Sequence, residues 1–313
     1  MAGQLMLEKW SGAVATVSIG ATKEEGGTRS KVIKVGGQAT LPLLFSEGAI
    51  PHKPVIAFEI WDIAPSDWPL ELSKSLGGVL NDSLAWAQKG IKEYKADLLC
   101  VRLMGAHPDF GNKSPEEEAK FIAQLLKEVD VPLIILGCGE DVKDNALLSA
   151  CAEAGKGERC LIGEAVQDNY KTLTASVLAD GHNIIAQSPI DINIAKQLNI
   201  LISDMGLSLE RIVINPTIGA LGYGLEYAYS IMERARLAAL SGDRTIASPF
   251  ICFVGQEAWR AKEAKVEAEQ GIIWEIITAI TLIQAGGDIL VMRHPKAIEK
   301  VNKYIEELFS NKL

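Results

Sequence analysis

The sequence predicts a (β/α)8 barrel, the TIM-barrel fold, preceded by an N-terminal extension. Eight short apolar runs are spaced along the chain, and each is followed by a stretch with helical periodicity. The runs are continuous rather than alternating, which is typical of parallel strands buried on both faces. They occupy residues 55–62, 96–104, 131–139, 160–166, 183–189, 211–217, 249–255 and 288–295. Eight strand–helix units in one chain favour a closed barrel.

The length of the chain fits one barrel domain and one extension. Its 313 residues exceed the usual domain size, yet this barrel reaches such a length around one core. We therefore predict an extension over residues 1–54 and a barrel over residues 55–313. In the extension, the short apolar segment KVIKV lies between Gly-Gly pairs, which predicts a hairpin. The hairpin either closes the bottom of the barrel or forms a separate contact surface.

Polar residues mark the starts of several helices. Ser114, Pro115 and Glu117 combine an N-cap, a proline at the first helical position and a capping box. Asp191 is predicted to cap a second helix, and Asp141 with Asp144 a third. These signals support the helical half of each strand–helix unit.

Charge and composition exclude several classes of function. The 40 acidic and 31 basic residues give a net charge of -9, without an extended Lys/Arg cluster, which disfavours nucleic-acid binding. Glu8 and Lys9 interrupt any apolar segment of a signal peptide, and the most apolar helix, from Ile272, contains Glu275. We therefore expect neither an export signal nor a membrane span.

The cysteine pattern points to a reducing compartment. The five cysteines form no CxxC pair and mostly fall within predicted strands and helices, where cysteine behaves as a small buried hydrophobe. We expect a cytoplasmic protein that does not hold an iron–sulfur cluster by itself.

In a TIM barrel, functional residues follow the carboxyl ends of the strands. The candidates at these positions are Glu59, Asp62, Arg102, 104–107, 138–141, Glu164, Gln187, Ser188, 215–217, Gly255, Gln256, Arg293 and His294. The set supplies no convincing nucleophile with its base and no metal-ligand cluster, so we assign no catalytic residue and no metal ligand. Glu59 would have to be paired if it faces inward, and Arg102 on the next strand is the expected partner.

The most distinctive loop is NPTIGALGYGLEY, which follows the sixth apolar run. Gly219, Gly222 and Gly224 would let the backbone approach a large ligand closely, and Tyr223 would offer a flat apolar surface. The spacing G-x-x-G-x-G lacks the lysine of a phosphate-binding P-loop, so it is a weak phosphate signal. Glycines that simply allow tight turns are an equally good explanation.

Three long segments carry a family resemblance. GGQATLPLLFSEGAIPHKPVIAFEIWD begins at Gly36, NPTIGALGYGLEYAYSIMERARLAAL at Asn215, and PFICFVGQEAWRAKEA at Pro249. With these segments the chain closely resembles the small subunit of the corrinoid iron–sulfur protein of the acetyl-CoA pathway. It also resembles the delta subunit of archaeal acetyl-CoA decarbonylase/synthase. The resemblance extends from about residue 30 to the end of the chain.

The resemblance implies a methyl carrier rather than an independent catalyst. It implies a heterodimer with a large corrinoid iron–sulfur subunit, which alone holds a [4Fe–4S] cluster, and a cobamide (a cobalt corrinoid) shared between the two. A methyltransferase delivers the methyl group from methyltetrahydrofolate, or from methyltetrahydrosarcinapterin in archaea, and acetyl-CoA synthase receives it. The bacterial donor is the expectation here. Cobamide contacts are expected from Gly105, His107, Cys138, Gly139, Gln187, Ser188, Asn215, Thr217, Gly219, Gly222, Tyr223 and Gly224.

The main alternative is a stand-alone pterin-binding methyltransferase of the dihydropteroate-synthase type. Such an enzyme would hold its pterin through Asp and Asn residues at strand ends, and Asp62, Asp141 and Asn215 are available. The sequence does not show the expected polar residues concentrated at one place, so we rank this alternative second.

Overall fold

A computed structural model describes residues 7–310 of the chain. In chain order, the strands and helices are β1 (Thr16–Ile19), β2 (Ile33–Gly36), β3 (Val55–Trp61), α1 (Leu70–Leu76), α2 (Ser83–Lys92), β4 (Leu98–Arg102), α3 (Pro115–Glu128), β5 (Leu133–Leu136), α4 (Asp141–Ala154), β6 (Leu161–Ala165), α5 (Tyr170–Asp180), β7 (Asn183–Gln187), α6 (Ile192–Asp204), β8 (Ile212–Asn215), α7 (Leu225–Leu240), β9 (Phe250–Cys252), α8 (Val254–Ala258), α9 (Ala268–Gln284), β10 (Gly287–Met292) and α10 (Pro295–Ser310).

Strands β3 to β10 close into a parallel barrel in the order β10-β3-β4-β5-β6-β7-β8-β9. Each of the eight apolar runs overlaps one barrel strand, and helices alternate with the strands around the outside. The predicted (β/α)8 barrel with an N-terminal extension is confirmed. The carboxyl ends of all eight strands therefore meet at one mouth of the barrel.

The strands bury residues on both faces. Phe58 and Ile60 of β3 pack outward in the core between strands and helices, whereas Ala57 belongs to a separate core inside the barrel. Both cores are almost wholly inaccessible to water. This two-sided burial is the reason that the strands read as continuous apolar runs.

The N-terminal hairpin closes the bottom of the barrel. Its strands β1 and β2 pair antiparallel, and Val17, Ile19 and Val35 pack in the same core as the inward-facing strand residues. The Asn183 amide at the start of β7 donates to the Ser18 carbonyl oxygen at 2.8 Å. Of the two placements open from the sequence, the structure therefore supports the first.

The helix caps correct one prediction. Ser114 forms the expected capping box of α3, and Asp191 caps α6 through two backbone N–H groups. Asp141 is instead the first residue of α4, and Glu140 occupies the N-cap position without a side-chain cap bond. Asp144 accepts hydrogen bonds from the N–H groups of Cys138 and Gly139. These bonds satisfy two buried backbone donors in the turn between β5 and α4.

Two further findings concern the cysteines and the hydropathy of the helices. All five cysteines are free and buried. Within residues 7–310, no helix combines the length and the hydropathy needed to cross a membrane.

Candidate functional site

A cavity of about 580 Å³ opens at the carboxyl ends of the barrel strands. Its aromatic walls come from Trp61, the last residue of β3, from Trp68, which follows β3, and from Trp259, which follows α8. Its polar walls come from the loop after β5 and from the ends of β6 and β7. In the order of strands around the barrel, β5 to β7 lie opposite β3 and β9. The mouth is therefore a two-sided site, with flat apolar surfaces opposite hydrogen-bonding groups.

A buried ion cluster forms the floor beneath the aromatic side. Arg293 donates to both oxygens of Glu59, from Nε to Oε2 at 2.9 Å and from Nη2 to Oε1 at 2.7 Å. Arg102 Nε lies 3.4 Å from Oε1, and Trp61 donates to the same oxygen at 2.8 Å. Burial alone would raise the pKa of Glu59, but the two arginines and the indole hold it at about 2. The expected pairing of Glu59 with Arg102 is confirmed, with Arg293 as the closer partner.

The same arginines lie over aromatic rings, Trp68 at the mouth and Phe253 in the core inside the barrel. The Arg293 guanidinium lies 4.5 Å from the centre of the Trp68 ring, and that of Arg102 lies 5.4 Å from the centre of Phe253. Arg102 also donates to the side-chain oxygen of Gln256 at 2.9 Å. Charge pairing and ring contacts together fix both guanidinium groups, so this side of the cavity is preorganised.

Trp259 is held in place by a buried carboxylate. Its indole N–H donates to Glu275 Oε2 at 2.8 Å, and the backbone N–H groups of Arg293 and His294 also donate to this carboxylate. Burial raises the pKa of Glu275 to about 7 despite these donors. The His294 ring stacks on Trp259, and burial lowers its pKa to about 4. His294 therefore has a packing role.

The polar side of the cavity centres on Glu164. The Asn215 amide, from the end of β8, donates to Glu164 Oε1, while Asn215 Oδ1 accepts from the Thr217 N–H at 3.0 Å. Within residues 7–310, no hydrogen bond reaches Glu164 Oε2. Burial raises the pKa of Glu164, opposed by Arg102 and by the Asn215 amide. The carboxyl group thus presents one hydrogen-bonding oxygen to the cavity from a fixed position.

The loop after β5 completes the polar side. Cys138, Gly139 and Asp144 all line the cavity. The Cys138 thiol lies 3.2 Å from Asp144 Oδ1, and burial beside that carboxylate raises its pKa to about 12. Such a thiol stays protonated at neutral pH and is a poor nucleophile or metal ligand.

Two predicted contact residues on the loop after β4 have structural partners instead of lining the cavity. The Gly105 N–H donates to Asp62 at 2.8 Å, and a Cβ at this glycine would overlap the Asp62 carboxylate. His107 Nε2 lies 3.4 Å from Glu140, and its side chain is mostly buried. Asp62 is itself tied to Lys113 at 2.6 Å, so it is not available to a ligand in the cavity.

Of the other predicted contact residues, some line the cavity and some lie behind its wall. Gln187, Cys138 and Gly139 line the cavity, and Asn215 stands directly behind Glu164. Ser188 is buried, and its carbonyl oxygen accepts from the Thr217 hydroxyl at 2.7 Å. This hydrogen bond joins Ser188, in the loop after β7, to Thr217, in the loop after β8.

The glycine-rich loop after β8 lies beside the cavity and does not line it. Gly222 and Gly224 have φ of +77° and +97°, so tight turning accounts for both glycines. A Cβ at Gly219 would overlap the Tyr223 carbonyl oxygen. The Tyr223 hydroxyl donates to Glu263 at 2.9 Å and accepts from the Lys262 N–H at 3.1 Å. The loop therefore supports the segment that brings Lys265 to the cavity.

Several cavity residues were not identified from the sequence. They are Trp61, Asp67, Trp68, Pro69, Gly137, Asp144, Val166, Trp259, Arg260 and Lys265. Trp61 carried a usable signal, because it ends a strand two residues after Glu59 and must share its face. Gly137 and Val166 come directly after β5 and β6. The remaining residues follow their strands by several residues, where strand periodicity makes no prediction.

Polar groups are concentrated at the mouth, contrary to the sequence-based expectation for a pterin site. Glu164, Asp144, Gln187 and Arg102 all line one cavity, although they lie far apart in the chain. Within the described residues, no group of three or more His, Cys, Asp or Glu side chains is placed to hold a metal ion.

Comparisons with known proteins place the chain in a family. Residues 16–304 match the model of the CO dehydrogenase/acetyl-CoA synthase delta subunit. The acetyl-CoA decarbonylase/synthase complex subunit delta of Methanocaldococcus jannaschii is 36% identical over 304 residues, covering 95% of this chain and 74% of that protein. The subunit of the same name from Methanothermobacter thermautotrophicus is 36% identical over 312 residues, covering 97% of this chain and 78% of that protein.

Solved structures share the fold at low sequence identity. A dihydropteroate synthase from Xanthomonas albilineans, in complex with 7,8-dihydropteroate, superposes with a TM-score of 0.60 at 16% identity over 84% of this chain and 96% of that one. The synthase from Yersinia pestis with a pterine-sulfa conjugate gives a TM-score of 0.58 at 14% identity, over 82% of this chain and 95% of that one. These similarities show the barrel architecture only. The match to the family model and the identity to the two relatives show the family. The chain belongs to the CO dehydrogenase/acetyl-CoA synthase delta subunit family.

Proposed function

We propose that this chain is the corrinoid-binding subunit of a heterodimeric methyl carrier in the reductive acetyl-CoA (Wood–Ljungdahl) pathway. In this proposal a methyltransferase supplies the methyl group from methyltetrahydrofolate, and acetyl-CoA synthase receives it. The large subunit shares the corrinoid and alone holds a [4Fe–4S] cluster, and the complex works in the cytoplasm. The family match over residues 16–304 is the observation that carries the proposal.

The size of the mouth supports a shared cofactor. A cavity of about 580 Å³ suits a drug-sized ligand, whereas a corrinoid with its ring, amide side chains and nucleotide tail is far larger. The barrel mouth would accept one face or edge of the corrinoid, and a second protein would cover the rest. In this proposal the corrinoid is shared at the mouth, because the N-terminal hairpin packs against the other end of the barrel.

The chemistry of the cavity suits an amide-bearing macrocycle. Gln187 and Gln256 offer both donors and acceptors to amide side chains, and Glu164 Oε2 offers an acceptor. Trp61, Trp68 and Trp259 offer flat apolar surfaces. These residues would bind and orient the corrinoid and exclude water from the methyl group.

When bound, the cobalt of the corrinoid supplies the centre that accepts and releases the methyl group. The protein then needs to provide position and access. The fixed guanidinium groups of Arg293 and Arg102 keep the cavity floor in place for that purpose.

The direct experiment compares the isolated chain with the chain co-expressed with its large subunit. We expect the absorption spectrum of a corrinoid only in the complex, at close to one corrinoid per heterodimer. A complex that assembles and contains its iron–sulfur cluster without corrinoid would contradict the proposal.

A second candidate function is a pterin-binding methyltransferase, and the polar side of the cavity is the observation that favours it. Glu164 lines the cavity beside Asn215, and its Oε2 could accept an N–H group of an aminopyrimidinone ring. The aromatic side would stack on the ring. A pterin, unlike a corrinoid, fits within about 580 Å³.

Calorimetric titration of the isolated chain with methyltetrahydrofolate separates the two candidates. Saturable binding that is lost in the Glu164→Gln variant would support the pterin-binding function. The absence of binding, together with corrinoid in the complex, would leave the carrier function alone.

A further inference from the structure

Three charged side chains meet beneath the loop that joins β4 to α3. Lys113 Nζ lies 2.6 Å from Asp62 Oδ2 and 3.4 Å from Glu118 Oε1. The side chains of Asp62 and Glu118 are fully buried, whereas that of Lys113 is 32% exposed. If both carboxyl groups were ionised, one ammonium group would face two buried negative charges. Such an excess charge is costly in a protein core, so the cluster needs one more positive charge.

Glu118 is the group that can hold this charge as a proton. Within residues 7–310, neither of its side-chain oxygens has a hydrogen-bond partner, although both are buried. Buried polar groups are normally hydrogen-bonded, and a neutral carboxyl group tolerates their absence far better than an ionised one. Burial first, and then the neighbouring Asp62, raises the pKa of Glu118 to about 8. On α4, the Cys151 thiol also faces both carboxyl groups, and burial raises its pKa, so it stays neutral.

The same cluster holds both ends of the loop. The Gly105 N–H donates to Asp62 Oδ1 at 2.8 Å, and the Lys113 N–H donates to the Gly105 carbonyl oxygen at 2.9 Å. Lys113 therefore ties the end of the loop to its start twice, through its backbone and through Asp62. Met104, the residue before Gly105, lines the mouth cavity. A change in the cluster thus reaches the wall of the cavity.

We propose that Asp62, Lys113 and Glu118 form a proton-dependent latch on the loop of residues 104–113. With a proton on Glu118, Lys113 pairs with Asp62 and the loop is closed. When Glu118 releases its proton to solvent, the two carboxylates repel each other and compete for Lys113, which frees the loop and widens the mouth beside Met104. The latch acts on a corrinoid and on a pterin alike, so it goes beyond the proposed function and does not depend on it.

Closure of the loop should weaken as the pH rises. In the closed loop, the pKa of Glu118 is about 8, whereas a solvated carboxyl group in the open loop has the ordinary value of 4.5. Closure is therefore fully favoured below about pH 4.5. The ratio of closed to open loop then falls by up to about tenfold per pH unit until about pH 8.

Amide hydrogen exchange of the full chain at pH 6 and pH 8 tests the latch. After correction for the intrinsic pH dependence of exchange, the Gly105 and Lys113 amides should exchange at least about tenfold faster at pH 8. The amides of β4 should stay protected, because the strand does not open with the loop. Equal protection of Gly105 and Lys113 at the two pH values would overturn the proposal. Exchange of the loop and β4 at one common rate would also overturn it, since the whole barrel would then be unfolding.

Neutral variants show whether Glu118 controls the loop. In Glu118→Gln the loop should stay closed at both pH values, because the amide does not ionise. Glu118→Met is the second neutral variant if Glu118→Gln does not fold, since an apolar side chain of similar size suits a site without hydrogen bonds. Glu116→Gln, exposed on the same helix, should keep the native pH dependence. A loop that still loosens at pH 8 in a folded neutral variant would overturn the latch.

Discussion

Arg293, the residue after β10, donates two hydrogen bonds to Glu59 of β3, at 2.9 Å and 2.7 Å. The pair closes the seam between β10 and β3, and it also forms the floor of the mouth cavity beneath Trp61 and Trp68. The closure of the fold and the shape of the site therefore depend on the same contact.

Glu59→Gln should destabilise the protein by about 3–5 kcal/mol, because Arg293 and Arg102 would lose their buried counter-charge. Urea unfolding measures the change. Glu71→Gln is the control, since Glu71 pairs with Lys74 on the surface and its loss should cost less than about 1 kcal/mol. Equal stability of Glu59→Gln and the native chain would contradict the role given to this pair.

Glu118 should make stability fall as the pH rises. Its side chain is buried beside Asp62 and Lys113, and burial followed by the neighbouring Asp62 raises its pKa to about 8. A raised pKa in the folded state means that stability is complete below about pH 4.5 and declines up to about pH 8. The expected slope is at most about 1.4 kcal/mol per pH unit, the value for one proton.

The Glu118→Gln variant isolates this effect. Its unfolding free energy should vary less between pH 5 and pH 8 than that of the native chain, because the amide does not ionise in this range. Glu116→Gln, two residues earlier and exposed, should keep the native pH profile. A native profile in Glu118→Gln would show that another group is responsible.

Gly105→Ala should destabilise the loop after β4 by about 1–3 kcal/mol, since its Cβ would overlap the Asp62 carboxylate. Gly78→Ala is the matched control, because a Cβ there meets no atom within 4 Å. The control should be neutral or more stable by up to about 1 kcal/mol. Thermal unfolding of the two variants gives the comparison, and an unaffected Gly105→Ala protein would favour a ligand-contact role for this glycine.

Ile19→Ala should cost about 2–5 kcal/mol, because Ile19 is fully buried in the core inside the barrel. Denaturant unfolding should show one transition, with the hairpin and barrel lost together. Ile200→Ala, on the exposed side of α6, should change stability by less than about 0.5 kcal/mol. Separate unfolding of the hairpin would contradict the shared core.

The barrel was predictable because parallel strands buried on both faces leave continuous apolar runs, as at 133–136 and 289–292. The position of the hairpin was not predictable, because the segment KVIKV does not indicate which surface Val35 packs against. At the mouth, Gln187 and Cys138 could be placed by counting to the ends of their strands. Trp68 and Lys265 could not, because loops bring them to the cavity. The glycines of 219–224 suggested ligand contact, but their backbone angles show that turning alone requires Gly222 and Gly224.

The corrinoid content of a complex with a filled mouth tests whether the corrinoid binds at the carboxyl ends of the barrel strands. Gln187→Trp places a large side chain in the cavity at the end of β7, while Gln88→Trp places it on α2, away from the mouth. With both variants folded and assembled with the large subunit, we expect at least tenfold less corrinoid in Gln187→Trp and native content in Gln88→Trp. Native corrinoid content in an assembled Gln187→Trp complex would contradict binding at the barrel mouth.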